Sequence, residues 1–119
     1  MGAVEHKSFL FAVRIVKLCR YLQDDKKEFV LSKQLLRSGT SIGANVAEAQ
    51  QAQSNADFIA KLSISLKETA ETKYWIKLLN ATQYLTTKEY NSILKDCIEI
   101  EKLLTTIIST LKRKANLNK

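Results

Sequence analysis

Few residues in this chain could carry out chemistry through their side chains. The histidine, His6, is the only one in the sequence, so no nucleophile can be paired with an imidazole base beyond it. A ferritin-type metal site, which needs two Glu-x-x-His pairs, cannot be assembled either. Cys19 and Cys97 are far apart and belong to no CxxC pattern, which argues against redox chemistry and against zinc. Each falls on an apolar helical face and reads as a buried free thiol. Glu48, Glu68 and Glu71 are what remains for a carboxylate site, and nothing in their spacing favours one. Glu68 and Glu71, like Lys73 and Lys77, have the separation of solvated helix pairs, each worth a few tenths of a kcal/mol. The expectation is a protein with no catalytic residue, metal, cofactor or small-molecule substrate.

The stretch "SGTSIGANVAEAQ" at 38–50 could do a different kind of chemistry. Glycines and hydroxyls in a loop ahead of a helix can present backbone N–H groups to a phosphate. However, the stretch lacks the GxxxxGK[ST] lysine and the GxGxxG spacing, and the helical run "SKQLLR" precedes it where a phosphate loop needs a strand. Leu35, Gly39, Ile42, Val46 and Ala49 recur at helical spacing straight through it, so it reads as helix. Gly39, Gly43 and Ala47 form a second line almost without side chains. Glycine inside a helix costs about 1 kcal/mol relative to alanine, so two of them point to a close approach by a neighbouring helix. Asn45 and Glu48, on one side of this helix, read as a buried polar pair that fixes register.

Charge is the remaining chemical resource. Nineteen Lys and Arg against twelve Asp and Glu give a net charge of +7. That surplus makes nucleic acid, an acidic protein or an anionic surface plausible partners through long-range attraction, without choosing among them. The candidate nucleic-acid contacts are Lys88, Lys95 and Lys102, seven apart and so on one helical stripe, then Lys33 with Arg37, and Arg14 with Lys17. Tyr21, beside the last pair, could stack on an unpaired base.

The elements that must position these residues are helices. The chain has no proline and only three glycines, so it lacks the punctuation that short strands and tight turns require. Phe11, Ile15, Leu18 and Leu22, beside a second line of Phe9, Val13, Val16 and Cys19, mark a first helix from about Ser8 to Gln23. Its apolar band is wider than two-layer packing needs, which hints at a further partner surface. Ser32 is the expected N-cap of the second helix. Ser54 or Asn55 caps a third, with Phe58, Leu62 and Leu66 as its first apolar line, joined by Ile59 and Ala70, and Trp75, Ile76, Leu78 and Leu79 closing its far end. Thr86 and Glu89 form a capping box for the fourth, whose heptad is Ile93, Cys97, Ile100, Leu104, Ile107 and Leu111. The expected fold is all-α, an antiparallel up-down four-helix bundle of one domain over 1–119, with flexible tails at 1–7 and 115–119. No leader pattern or long apolar run is present in the sequence, so a soluble, cytoplasmic protein with no membrane role is expected.

The run "QLLRSGTSIGANVAEA", followed by "DFIAKLSISLKETAET", resembles the four-helix bundle family of rRNA intervening-sequence proteins. Arg37, Ser41, Ile42, Asn45, Val46, Ala47 and Glu48 match that family's central signature, with Gly39 among the small residues after the arginine, and Ser65, Leu66 and Glu68 match a later Ser-Leu-x-Glu. Gly43 stands where a proline is frequent, and Ala49 where a glycine is. The resemblance implies a ring-shaped homo-oligomer, typically a pentamer, with no enzymatic activity, and genes often placed in insertions within large-subunit rRNA genes. The similar accessory variability proteins of diversity-generating retroelements are basic rings that bind nucleic acid and a reverse transcriptase. Two functions follow as expectations: an oligomeric basic bundle that binds RNA or DNA non-specifically, or a protein–protein scaffold whose lysines serve solubility alone.

Overall fold

The computed structural model describes residues 2–117, which fold into four α-helices with no strand among them. These are α1 (Gly2–Asp24), α2 (Leu31–Ala49), α3 (Asn55–Ala81) and α4 (Thr87–Leu117). The molecule is elongated, 53 × 23 × 22 Å. Helices α1 and α2, α2 and α3, α3 and α4, and α1 and α4 pack side by side, the last pair least extensively. The core is one cluster running the length of the bundle, with Phe11, Ile15, Leu22, Leu35, Ile42, Leu62, Ile76, Leu79, Ile100 and Leu104 fully enclosed.

Helix α2 contains the glycine and hydroxyl stretch without interruption through Ala49, and the whole line Leu35, Gly39, Ile42, Val46 and Ala49 is buried. The glycines do what their cost implies. A Cβ on Gly39 would lie 2.8 Å from Ile15 Cγ2 and 2.9 Å from Cγ1, and one on Gly43 would lie 3.2 Å from the Ser8 carbonyl oxygen. The backbone of α2 therefore rests directly on α1. The capping box closes as expected: Glu89 N–H donates to Thr86 Oγ1, and Thr86 N–H donates to Glu89 Oε1. Ser54 Oγ accepts from Asp57 N–H at the start of α3.

Five expectations need correction. Helix α1 starts at Gly2, so the expected tail at 1–7 is largely helical with Val4 buried; one apolar residue is too few to show a period. The expected tail at 115–119 is helical through Leu117, its last two residues lying outside the described ones. Helix α2 is capped by Glu28, not Ser32. The Glu28 carboxylate accepts from Val30, Leu31 and Ser32 N–H at 3.2, 3.0 and 2.7 Å, while the Ser32 hydroxyl donates to the Glu28 carbonyl. In α3 the buried line is Leu62, Ser65, Thr69, Thr72, Ile76 and Leu79; Leu66 is half-buried and Ala70 exposed. Near the end of α4, Ile108 replaces Ile107 in the core, because a straight helix of 3.6 residues per turn drifts off a strict heptad.

The hydroxyls in the α3 line are satisfied within the bundle. Ser65 Oγ donates to the Ile42 carbonyl and Thr69 Oγ1 to the Ser65 carbonyl. Thr72 Oγ1 meets Ser38 Oγ at 2.9 Å and the Glu68 carbonyl at 2.7 Å. A buried hydroxyl with a partner avoids the desolvation penalty that would expel it from a core. The two cysteines are buried and free. Burial is the main cause pushing both thiols up to about 12, with Glu28 adding to it for Cys19 and Glu101 for Cys97.

Candidate nucleic-acid interface

The structure divides the seven candidate cations into two groups. Arg14 is spent inside the molecule: its guanidinium donates to Asp96 Oδ2, to Ser92 Oγ at 2.9 Å and to the Ser92 carbonyl at 3.3 Å, tying α1 to α4. Arg37 is also engaged. It sits between Glu68, at 3.3 Å, and Glu71 of α3, and Trp75 Nε1 donates to the same Glu71 oxygen at 3.0 Å. By contrast Lys17, Lys33, Lys88, Lys95 and Lys102 are exposed and make no ion pair with any described residue. Tyr21 is half-buried, with Lys26 Nζ 5.8 Å from its ring centroid, so a cation already occupies one ring face.

Helix α4 sorts its charges by direction. Its acidic residues are Glu89, Asp96, Glu99 and Glu101, and every one has an internal partner. Glu89 closes the capping box. Asp96 receives Arg14, Glu99 receives Lys7, and Glu101 receives Lys73 through both oxygens at 2.9 Å. Lys88, Lys95 and Lys102 are thus left exposed and without an ion pair among the described residues. At about 100° per residue, Arg113 falls within about 20° of Lys102 around the helix. Lys112 and Lys114 flank it, and all three are exposed. Between the stripe's cations runs a shallow groove lined by Asn91, Leu94, Lys95, Ile98 and Lys102, with Glu99, the partner of Lys7, at its edge. Residues 112–114 are not among the cations singled out from the sequence. The signal that extends the stripe is the helical angle from Lys102 to Arg113, which a search at intervals of seven passes over.

Other polar residues singled out in the sequence do not converge on this face. Glu48 is 63% exposed and only 3.8 Å from Lys61 Nζ, and Asn45 donates to the Ser41 carbonyl one turn back in its own helix. They are therefore not a buried pair. Ser41 donates to the Arg37 carbonyl. Glu48 stands three turns along α2 from the Arg37–Glu68–Glu71 cluster, so the three glutamates do not form one site. Among the described residues no group of three or more His, Cys, Asp or Glu is placed to hold a metal ion, and no helix is long and apolar enough to cross a membrane.

The family model for the 23S rRNA-intervening sequence protein matches residues 3–106. Among solved structures, the chain is similar to a protein with unknown function from the S23 ribosomal protein family of Bacteroides thetaiotaomicron. The two are 60% identical, the match covers 89% of this chain and 98% of that chain, and the TM-score is 0.88. A search of curated proteins finds no match.

Proposed function

The chain belongs to the 23S rRNA-intervening sequence protein family, and from that premise we propose that it is a non-enzymatic, cytoplasmic, oligomeric bundle that binds RNA or DNA through the phosphate backbone. The observation that carries this reading is the charge sorting on α4. Every carboxylate of that helix is held by an internal partner, while Lys88, Lys95, Lys102 and Arg113 are exposed along one stripe without an ion pair among the described residues. The helix of 31 residues is about 46 Å long, enough to follow many phosphates. Contacts of this kind carry no sequence information, so the binding is non-specific.

Two architectural features complete the reading. An antiparallel up-and-down course is supported by pairings that run in opposite senses along neighbouring helices: Gly39 against Ile15 and Gly43 against Ser8, then Arg37 with Glu71 and Glu48 with Lys61. Assembly into a homo-oligomeric ring, a pentamer in the form the sequence resemblance implies, is supported by Phe9 and Leu10, large apolar residues left exposed on α1. A ring would repeat the α4 stripe around one assembly and multiply its field.

The test is fluorescence anisotropy with a labelled RNA hairpin and a DNA duplex from about 50 to 200 mM salt, a range over which multi-phosphate binding falls by orders of magnitude. Lys95→Gln with Lys102→Gln should lower the slope of log affinity against log salt by about two, since each lost phosphate contact removes about one. Lys26→Gln with Lys27→Gln removes the same net charge away from the stripe and should leave most of the slope in place. Equal losses from the two pairs would assign the effect to net charge alone. Absence of binding at the lowest salt would leave the protein–protein scaffold as the reading.

A further inference from the structure

We propose that the turn between α1 and α2 holds an unpaired nucleotide, with Phe29 as the ring on which its base stacks and Lys33 as the cation beside its phosphate. The proposal rests on the nucleic-acid reading above and deepens it by specifying unpaired strands as a ligand. Phe29 is 51% and Val30 71% exposed, next to each other in the turn. Singly exposed apolar residues are ordinary, but here the turn itself holds the pair out in water. The Glu28 carboxylate accepts from the N–H groups of Val30, Leu31 and Ser32, and Glu28 N–H donates to the Leu22 carbonyl at 2.9 Å. A buried glutamate thus fixes the backbone on both sides of Phe29. A ring presented on a fixed backbone loses little freedom on docking.

The surroundings choose the occupant. Lys33 lies about one turn into α2, and Gly39 meeting Ile15 and Gly43 meeting Ser8 bring it level with Arg20 near the end of α1. Both cations are exposed and form no ion pair among the described residues. The turn's exposed carboxylates are Asp24 and Asp25, since Glu28 is buried and spent on N–H groups. An apolar ring beside free cations suits an anionic ligand with an aromatic face. A paired base has no such face free, whereas an unpaired one does, and stacking of this kind accepts any base. A membrane would meet the whole end of the bundle, both aspartates included, and two apolar side chains give it little to bury. A single strand is narrow enough to take Phe29 and Lys33 and pass the aspartates by.

The turn is also a place apart from the α4 stripe. Helices α2 and α4 make no contact with each other, and with neighbouring axes about 8–10 Å apart they lie about 13 Å apart across the bundle. Phosphate contacts along α4 serve paired and unpaired strands alike. The Phe29 ring serves only a strand whose bases are free, so the two contributions separate by ligand. Tyr21, the ring that the sequence suggested for stacking, has Lys26 Nζ 5.8 Å from its centroid and is half-buried; Phe29 is the ring at this end that stands clear.

The test is fluorescence anisotropy of the full chain with a labelled oligouridine strand of about ten nucleotides and with a blunt-ended RNA duplex. Phe29→Ala should weaken strand binding by about 5- to 100-fold, the range one base–aromatic stack spans, and leave duplex affinity and both salt slopes unchanged, because no phosphate contact is lost. Phe29→Trp should restore strand affinity. Lys33→Gln should lower the strand's salt slope by about 0.7, and an unchanged slope would overturn its phosphate role. Should Phe29→Ala lose helicity by circular dichroism, Val30→Ser reads the same contact. Equal losses on strand and duplex, or none on either, would overturn the stacking site. So would a change in light-scattering mass, which would assign Phe29 to a contact between copies, or loss of co-sedimentation with phosphatidylserine vesicles at unchanged strand affinity. A wild type that binds the duplex but not the strand would overturn the turn site and leave the phosphate reading standing. One that binds neither at the lowest salt would remove both.

Discussion

Replacing Gly39 by alanine sets two known effects against each other at one atom. In a solvated helix the change stabilises by about 1 kcal/mol, because glycine has more backbone freedom to lose on folding. Here the added Cβ would stand 2.8 and 2.9 Å from the two Cγ atoms of Ile15, well inside van der Waals contact. Ile15 is fully buried and β-branched, so it cannot swing away, and overpacking of that kind costs roughly 1–3 kcal/mol. The clash exceeds the propensity gain, and Gly39→Ala should lose about 0.5–2 kcal/mol, a fall of several degrees in Tm for a domain of this size. The decisive control is Ile15→Ala, itself costing about 2–5 kcal/mol, which deletes both clashing carbons and leaves only the Ile15 Cβ at 3.3 Å. In that background Gly39→Ala should stabilise, reversing sign, with a coupling of about 2 kcal/mol. Thermal and urea melts followed by circular dichroism, at fixed protomer concentration, read all four proteins. A higher Tm for Gly39→Ala alone would refute the close-approach account of α2 on α1.

Three further outcomes follow from the core. Burial raises the Glu28 carboxyl, but the N–H donors of Leu31, Ser32 and Val30 and the Ser32 hydroxyl outweigh it, so its folded pKa lies below the ordinary value. Its stabilisation is complete above the unfolded glutamate pKa and is lost as pH falls through the lowered folded one. Glu28→Gln should therefore cost about 1 kcal/mol at neutral pH, with the two melting curves converging in acid; a constant gap would contradict this. Thr72→Val deletes the hydroxyl that bonds the Glu68 carbonyl and meets Ser38 Oγ in a fully buried site and should cost about 1 kcal/mol by urea titration, an unchanged midpoint being the contrary result. Cys19 and Cys97, with thiols pushed up to about 12, should resist alkylation at neutral pH until denaturant opens the core; rapid native labelling would contradict their burial.

What could be read from the sequence was local. The capping box and the α2 line follow from spacings within one helix, and both stand in the structure. The α3 core line was missed because Ser65, Thr69 and Thr72 count as polar in any periodic search. Ser65 and Thr72 meet the Ile42 carbonyl and Ser38 hydroxyl of α2, while Thr69 bonds back to the Ser65 carbonyl within α3. Glu28 ends the charged run Asp24, Asp25, Lys26, Lys27 and Glu28, whose composition gives no sign of burial, yet it is a buried cap because the chain turns back there with Lys27 at a positive φ of 56°. The candidate interface was half visible for the same reason. The Lys88, Lys95 and Lys102 stripe is intrahelical geometry, while the neutralisation of Arg14 and Arg37 depends on which carboxylates the neighbouring helices present.

That neutralisation also decides whether a salt titration can report on binding at all. The α1–α4 seam is the least extensive of the helix contacts and is bridged by Lys7–Glu99 and Arg14–Asp96, whose side chains are 39–44% exposed. If these pairs held the seam, added salt would loosen the fold over the same range that weakens phosphate contacts, and the two effects would be confounded. Magnitudes separate them. Exposed ion pairs contribute about 0–1 kcal/mol each, whereas Val4, Phe11, Ile15 and Ile100 are 0–1% exposed, and full burial of such side chains is worth about 1.5–3 kcal/mol apiece. The apolar core therefore holds α1 in place at every salt concentration in the titration. The outward cations of α4 have no such apolar support and feel screening directly. Under the proposed nucleic-acid binding, a salt slope measured on this protein counts phosphate contacts, and a melting temperature flat across the same range is the control that makes the count valid.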